Sequence, residues 1–214
     1  MQLDQKSTSR SQPRVFNYSL DWRFLLPLSN HEKILVLFEK DPDLCQTLEY
    51  VGIPASNQLS FLDIEQRPRN EANSLVLPFG LSVQWVSGEP VDQIEFFRSI
   101  HKLISDHGNL LLGFNNSRVY RSNIAKKYYS STPQRMTAQL QRAGFKAITV
   151  FGVIPNLKIP EYIFDLNSHA ADFALQHRFK RKRVLLNLLQ LLSYPAGGIR
   201  LSDFLPGYFV AATV

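Results

Sequence analysis

The chain has 214 residues, of which 44% are hydrophobic and 20% are charged. This composition excludes intrinsic disorder, and the length suits one substantial domain better than two. The formal charge of +6 indicates an acidic partner only if the cations cluster on one surface. The single cysteine, Cys45, excludes an internal disulfide and a cysteine-rich zinc site.

The N-terminal residues 1–14 are polar and lack the apolar core of a signal peptide. We therefore expect a flexible polar tail over residues 1–14 and a single domain over residues 15–214. No apolar run approaches the ~20 residues that a membrane-spanning helix needs. The expected location is the cytoplasm.

The first predicted strand runs directly into the first predicted helix. The apolar residues Ile34–Leu37 indicate a buried strand, and Asp41 followed by Pro42 indicates a capped helix start. This helix is predicted to end near Tyr50, with Gly52 as its cap. In α/β proteins, nucleotide-type cofactors bind at such a strand-to-helix turn, on backbone N–H groups at the positive end of the helix.

The turn between this strand and this helix lacks the expected glycines. Glycine allows the backbone to approach a ligand because no side chain intervenes. The sequence here is instead Phe38-Glu39-Lys40-Asp41. The pattern predicts the scaffold of a cofactor site in which side chains have replaced the ligand contact.

Two further helices are predicted from apolar spacing. Phe97, Ile100 and Ile104 recur at helical spacing in a segment from Pro90 to His107, which Gly108 stops. A later helix is opened by Thr132 and Pro133 and closed by Gly144. A basic helical insertion is predicted near residues 168–193.

Short apolar runs between these helices predict strands. They are Leu59–Ile64, Ser74–Leu77, Asn109–Phe114, Phe145–Phe151 and a last strand within Pro206–Val214. We expect Ile34–Leu37, Leu110–Phe114 and Ile148–Phe151 to be neighbours in one sheet. Alternating strands and helices favour an α/β fold with a doubly wound sheet.

The second half of the chain resembles the class I S-adenosylmethionine-dependent methyltransferases. The resemblance is carried by the helix, glycine and strand of residues 103–116, by residues 129–145 with their Ala-Gly-Phe, and by residues 150–163. It implies a Rossmann-like, doubly wound, mostly parallel sheet with an antiparallel last strand. That strand, Tyr208 to Ala212, would lie between the family's fifth and sixth strands.

The resemblance also implies where S-adenosylmethionine would bind. The family's glycine-rich loop maps to Phe38–Asp43, and an acidic residue at the end of the second strand holds the cofactor ribose. The cofactor-binding candidates are therefore Phe38, Glu39, Asp41 and Asp63. The acids beside Pro42 also suit a helix N-terminus without any ligand, so the cofactor is either S-adenosylmethionine or none.

Substrate or partner candidates lie elsewhere. Asn115 and Asn116 follow a predicted strand at the carboxyl edge of the sheet, where they either orient a substrate or begin a turn. Trp22 either caps the site or packs over the sheet edge. Tyr120, Tyr128 and Tyr129 alternate with cations, a pattern typical of surfaces that stack on a base or sugar and equally of amphipathic side chains that cover a sheet edge.

The strongest charge feature is a basic run within residues 177–183. Its cations are Arg178, Lys180, Arg181, Lys182 and Arg183, and the apolar segment Val184–Leu192 follows. The run is either a solvated helix face or a docking site for an acidic protein or an anionic membrane surface. Nucleic acid is disfavoured because no known binding module accompanies the run. The five histidines show no metal-ligand spacing, so no metal is expected.

Three hypotheses follow. The leading one is a non-catalytic partner or scaffold protein in a biosynthetic pathway, with a degraded S-adenosylmethionine site. The second is an active methyltransferase that acts on a small molecule, a glycan or a peptide intermediate. The third is an interaction module that docks through the basic helix 177–192.

Overall fold

The computed structural model of the chain describes residues 21–26, 33–38, 42–59, 64, 67–78, 90–119, 130–167 and 205–214. The helices in these ranges are α1 (Pro42–Tyr50), α2 (Pro90–Leu103) and α3 (Pro133–Ala143). The strands are β1 (Ile34–Leu37), β2 (Gln58–Leu59), β3 (Ala72–Leu77), β4 (Ile104–Asn116), β5 (Ser130–Ser131), β6 (Lys146–Ile154), β7 (Tyr162–Asp165) and β8 (Gly207–Thr213). Short 3₁₀ turns cover Asp21–Leu25 and Ala55–Asn57.

All eight strands belong to one sheet. Its order is β2-β1-β3-β4-β8-β6-β7, and β5 pairs with the end of β4. Strands β2, β1, β3 and β4 run parallel, while β8 is antiparallel to both of its neighbours, β4 and β6. The predicted α/β fold, with a mostly parallel sheet and an antiparallel last strand, is confirmed. The expected neighbours β1, β4 and β6 share the sheet, but β3 and β8 lie between them.

Alternating side chains divide the core into two layers, one on each face of the sheet. On β1, Leu35 and Leu37 point to one face, and Val36 points to the other. The first layer, which we call the helix-pair face, is packed by α2 and α3, with Phe97 and Leu140 fully buried. The second layer, which we call the Trp22 face, is packed by α1 and by the turn Asp21–Leu25.

The ends of the helices follow the sequence signals closely. The Thr132 side chain caps α3 by accepting a hydrogen bond from the Arg135 backbone N–H, at 3.3 Å. Gly144 closes α3 with φ of +109°, a left-handed conformation that suits glycine. The helix α1 ends at Tyr50 as predicted, while its predicted cap Asp41 lies outside the described residues. No helix in the described ranges has the length and apolar character to cross a membrane.

The predicted helix from Pro90 to His107 was too long. The helix ends at Leu103, and Ile104 pairs with Ala72 as the first residue of β4. Gly108 lies inside β4, where a Cβ atom would be 2.7 Å from the Asn73 carbonyl oxygen. This glycine therefore permits close approach of the neighbouring strand, where β4 is irregular, and it does not stop a helix.

Two other boundaries differ from the predictions. The predicted strand Leu59–Ile64 begins as β2, but the buried Ile64 lies in a 3₁₀ turn. The sequence analysis also missed the edge strand β7, which pairs with the end of β6. A four-residue strand carries too little periodicity to be recognised without its partner. The predicted helical segment near residues 168–193 lies outside the described residues.

A buried carboxylate ties together the segments that precede β1 and β3. Glu71 Oε1 accepts hydrogen bonds from Lys33 Nζ at 2.7 Å and from Arg67 at 2.8 Å, and its side chain is 8% exposed. Burial of this carboxyl raises its pKa, but the hydrogen bond from Lys33 and the charges of Arg67 and Lys33 together outweigh burial. The net effect is a pKa below the ordinary value of 4.5.

Replacement of this carboxylate should make the fold less stable in a pH-dependent manner. Because the folded-state pKa is lowered, the carboxylate stabilises the fold fully above pH 4.5 and loses that contribution as pH falls through the folded-state pKa. We expect Glu71→Gln to lower the free energy of unfolding by about 1–3 kcal/mol at neutral pH, with a smaller difference in acid. Urea denaturation at both pH values measures this.

A matched control is Glu95→Gln, which breaks the ion pair with Arg98 on the surface of α2, where both side chains are at least half exposed. Exposed ion pairs contribute little to the free energy of unfolding, so this variant should denature at the same urea concentration as the parent chain. Equal effects of the two substitutions, or no pH dependence for Glu71→Gln, would contradict the stabilising role assigned to the Glu71 carboxylate.

Candidate functional site

The parallel strands end at one edge of the sheet, which we call the carboxyl edge. The chain passes from β1 to β2 on one side of β1 and then to β3 on the other side. In doubly wound sheets, ligands bind in the crevice at this reversal of strand order, beyond the carboxyl ends of the strands. The crevice therefore lies where Leu37 and Leu77 end β1 and β3.

Phe38 occupies the position directly after β1. It continues the alternation of the strand, so its ring joins Val36, Leu44 and Trp22 in the core cluster of the Trp22 face, with 5% exposure. Its backbone N–H donates to the Leu59 carbonyl at 3.2 Å, which extends the pairing of β1 with β2. Phe38 is thus held by both its backbone and its ring.

The position directly after β1 carries a side chain where a glycine would allow the backbone to approach a ligand. That side chain, the ring of Phe38, is buried in the core. The other proposed cofactor residues, Glu39, Asp41 and Asp63, lie outside the described residues.

Trp22 lies inside the protein and not at its surface. Its side chain is fully buried in the Trp22 face, within the same cluster as Phe38 and Leu157. Its indole Nε1 is buried and has no hydrogen-bond partner among the described residues. The turn Asp21–Leu25 therefore packs over the sheet through Trp22, as the packing interpretation of this residue predicts.

Asn116 is a structural anchor at the carboxyl edge. Its fully buried side chain donates from Nδ2 to the Leu205 carbonyl at 2.7 Å and to the Tyr208 hydroxyl oxygen at 3.0 Å. Its Oδ1 accepts from the Arg118 backbone N–H at 2.9 Å, and its own N–H donates to the Pro206 carbonyl at 3.1 Å. These bonds fix the start of β8 against the end of β4.

Asn115 has a different environment from its neighbour. Successive side chains of a strand point to opposite faces, so Asn115 lies on the Trp22 face, as Leu111 does, and it is half-buried. Its backbone pairs with Gly207 and Ser130. Of the two asparagines predicted for the site, Asn115 is the one that lies on the same sheet face as Phe38.

The remaining predicted site residues are not part of the described structure. Tyr120, Tyr128 and Tyr129 lie outside the described residues, and so does the basic run that contains Arg178, Lys180, Arg181, Lys182 and Arg183. Among the ranges that the structure describes, no group of three or more histidine, cysteine, aspartate or glutamate side chains is arranged to hold a metal ion.

Sequence reasoning missed two residues that shape the carboxyl edge. Gly113 in β4 allows the Pro78 carbonyl to approach, since a Cβ atom there would lie 2.5 Å from the Pro78 oxygen. A glycine inside a strand is a recognised signal of close backbone approach. Tyr208 contributes a buried hydroxyl to Asn116, and nothing in the apolar pattern of β8 indicates this partner.

Structural comparison identifies the fold. The chain resembles the crystal structure of an S-adenosylmethionine-dependent methyltransferase, described as a possible histamine N-methyltransferase, from Thermotoga maritima, with a TM-score of 0.51 and 8% identity over 89% of this chain and 84% of that chain. An S-adenosylmethionine-dependent methyltransferase from Mesorhizobium loti aligns over 90% of this chain and 95% of its own, with 13% identity and a TM-score of 0.49. No family model and no curated protein matches the sequence.

The chain has the fold of the class I S-adenosylmethionine-dependent methyltransferases. The Thermotoga maritima alignment covers most of both chains, and β8 lies between β4 and β6 as the sequence resemblance implied. At 8% identity, this likeness concerns the fold, and function must be argued from the residues of the site.

The anchoring role of Asn116 leads to a stability prediction. We expect Asn116→Ala to lower the free energy of unfolding by about 2–3 kcal/mol, because it leaves the buried partners at Leu205 and Tyr208 without their donor. Asn115→Ala should cost less than about 1 kcal/mol, because that side chain is only half-buried. Urea denaturation of both variants measures the difference, and similar losses would show that Asn116 is not a special anchor.

Proposed function

We propose that this protein is a non-catalytic member of the methyltransferase fold, which acts as a partner or scaffold protein and does not bind S-adenosylmethionine productively. The observation that carries the proposal is the buried ring of Phe38 at the position after β1, 5% exposed and packed with Trp22. We infer that a ligand that approached the backbone at this turn would meet the Phe38 side chain where the family's loop carries glycine.

Exposure of the buried Phe38 ring by a ligand would cost free energy. Burial of a phenylalanine side chain stabilises a fold by about 1.5–3 kcal/mol. If a cofactor turned Phe38 out of the core, the fold would lose that contribution. If the backbone moved as well, the hydrogen bond from the Phe38 N–H to the Leu59 carbonyl would break. Both terms lower affinity, so the ligand-free fold is the favoured state.

This proposal predicts no cofactor binding by the parent chain. A ligand present at about 100 times its dissociation constant raises the free energy of unfolding by about 2.7 kcal/mol. We expect millimolar-range S-adenosylmethionine to leave the melting temperature of the parent chain unchanged, and calorimetric titration to show no micromolar binding. Tight binding by the parent chain would refute the proposal.

Substitution of Phe38 separates a blocked site from an absent one. Phe38→Ala should cost about 3–5 kcal/mol of stability, and Phe38→Leu serves if the alanine variant does not fold. Val36→Ala is the matched control, because Val36 lies two residues earlier on the same face of β1 and is fully buried. Binding gained in a Phe38 variant and not in Val36→Ala would show that the ring blocks a competent cleft.

An active methyltransferase with an unusual turn is the second candidate function. The half-buried Asn115, on the same sheet face as Phe38 and at the carboxyl edge, supports it, because an amide there is suited to orient a ligand. Methyl transfer to a good acceptor depends mainly on proximity and alignment, so it does not require a general base. The acceptor would be a small molecule, a glycan or a peptide intermediate.

This candidate predicts that Asn115→Ala weakens S-adenosylmethionine binding by about tenfold, the loss expected for one hydrogen bond, while urea denaturation stays near that of the parent chain. Glu39→Ala, at the turn after β1, should behave likewise. Unchanged affinity in both variants would remove the support for this site.

A further inference from the structure

We propose that the carboxyl edge carries an interfacial surface that docks this protein on an anionic lipid bilayer. The surface, which we call the edge patch, consists of Val119, Ile159, Tyr162, Arg118 and Lys158. It is built from described residues that lie outside the crevice and outside the basic run 177–183. The inference does not depend on whether S-adenosylmethionine binds.

The exposed apolar members of the edge patch come from adjacent loops. Val119 is 43% exposed in the turn after β4, where its N–H donates to the Asn116 carbonyl. Ile159 is 53% exposed in the loop between β6 and β7, and Tyr162, the first residue of β7, is 37% exposed. Only β8 separates β4 from β6, so the strands that carry these loops lie about 10 Å apart.

The loop that presents Ile159 has a defined shape. Asn156 Oδ1 accepts from the N–H groups of Lys158 at 2.9 Å and Ile159 at 3.0 Å, while the Glu161 N–H donates to the Ile154 carbonyl at 2.7 Å. Leu157 is buried in the Trp22 face, which anchors the loop from below. A side chain held outward in this way loses little conformational entropy on binding.

The chemistry of the edge patch suits a bilayer interface. Aliphatic side chains insert at the boundary between headgroups and acyl chains, tyrosine is enriched at that depth, and cations attract anionic headgroups. Arg118 and Lys158 are both exposed in these two loops, and Glu161 is an exposed carboxylate in the loop between β6 and β7. The chain as a whole carries +6, so long-range attraction also favours an anionic surface.

Cosedimentation with vesicles tests the proposal. We expect the parent chain to bind vesicles of phosphatidylcholine with phosphatidylserine, to bind pure phosphatidylcholine vesicles less, and to dissociate as salt rises. Ile159→Ser and Val119→Ser should each lower the partition coefficient about tenfold, and Lys158→Glu should lower it about fivefold or more. Because these side chains are exposed, the melting temperatures should stay unchanged.

The matched control is Tyr50→Ser. Tyr50 is an exposed aromatic residue, 77% exposed, but it ends α1, which starts at the carboxyl edge and runs about 12 Å away from it. This variant should bind vesicles like the parent chain. The proposal is wrong if the parent chain does not bind, if Ile159→Ser and Val119→Ser bind as the parent does, or if only glutamine substitution of Lys180, Arg181, Lys182 and Arg183 abolishes binding.

Discussion

The insertion of β8 between β4 and β6 is the constraint on which the architecture depends. Its seven residues pair antiparallel with β4 from Asn109 to Asn115, and its other edge pairs with β6 from Lys146 to Val153. Without this strand, β4 and β6 would each expose an unpaired edge, which sheets avoid. The insertion also brings the loop after β4 and the loop between β6 and β7 to one edge of the sheet. The edge patch results from that arrangement, whereas the crevice results from the reversal of strand order at β1.

The start of β8 is fixed by polar bonds in an apolar environment. Asn116 satisfies its amide fully, and an unsatisfied group at such depth would cost more than the bonds contribute when made. A buried and satisfied network of this kind selects one register for the strand that it holds. One asparagine at the end of β4 therefore positions the C-terminal strand, while the preceding residue, Asn115, points to the opposite face. Adjacent residues of one motif have different surroundings because side chains alternate along a strand.

The turn after β1 connects stability with the proposed loss of catalysis. A glycine cradle keeps space for a ligand and leaves the ligand-free protein with an unfilled turn. Phe38 stands at this position with its ring buried in the core, so the fold gains buried apolar area without any ligand. Residues that hold a ligand site open generally cost stability. Under the proposed function, the protein is maintained for its surface and not for chemistry at the crevice. The edge patch, which lies at the same carboxyl edge of the sheet, is the surface proposed for that role.

Local sequence signals determined much of the architecture. The apolar run Ile34–Leu37, the cap Thr132 with Pro133, and Gly144 specified β1 and both ends of α3, because these features depend on neighbours within a few residues. The absence of glycine directly after β1 was also evident from the sequence alone. The end of α2 at Leu103 was not evident from the sequence, because Gly108 resembles a helix stop. The reason for this glycine is the close approach of the Asn73 carbonyl on the neighbouring strand. The burial of Phe38 in the cluster that contains Trp22 and the partners of Asn116 join residues from separate segments, and the pairing of β7 depends on its partner strand β6. Only the tertiary structure decided them, because burial and hydrogen bonding depend on which distant segments meet.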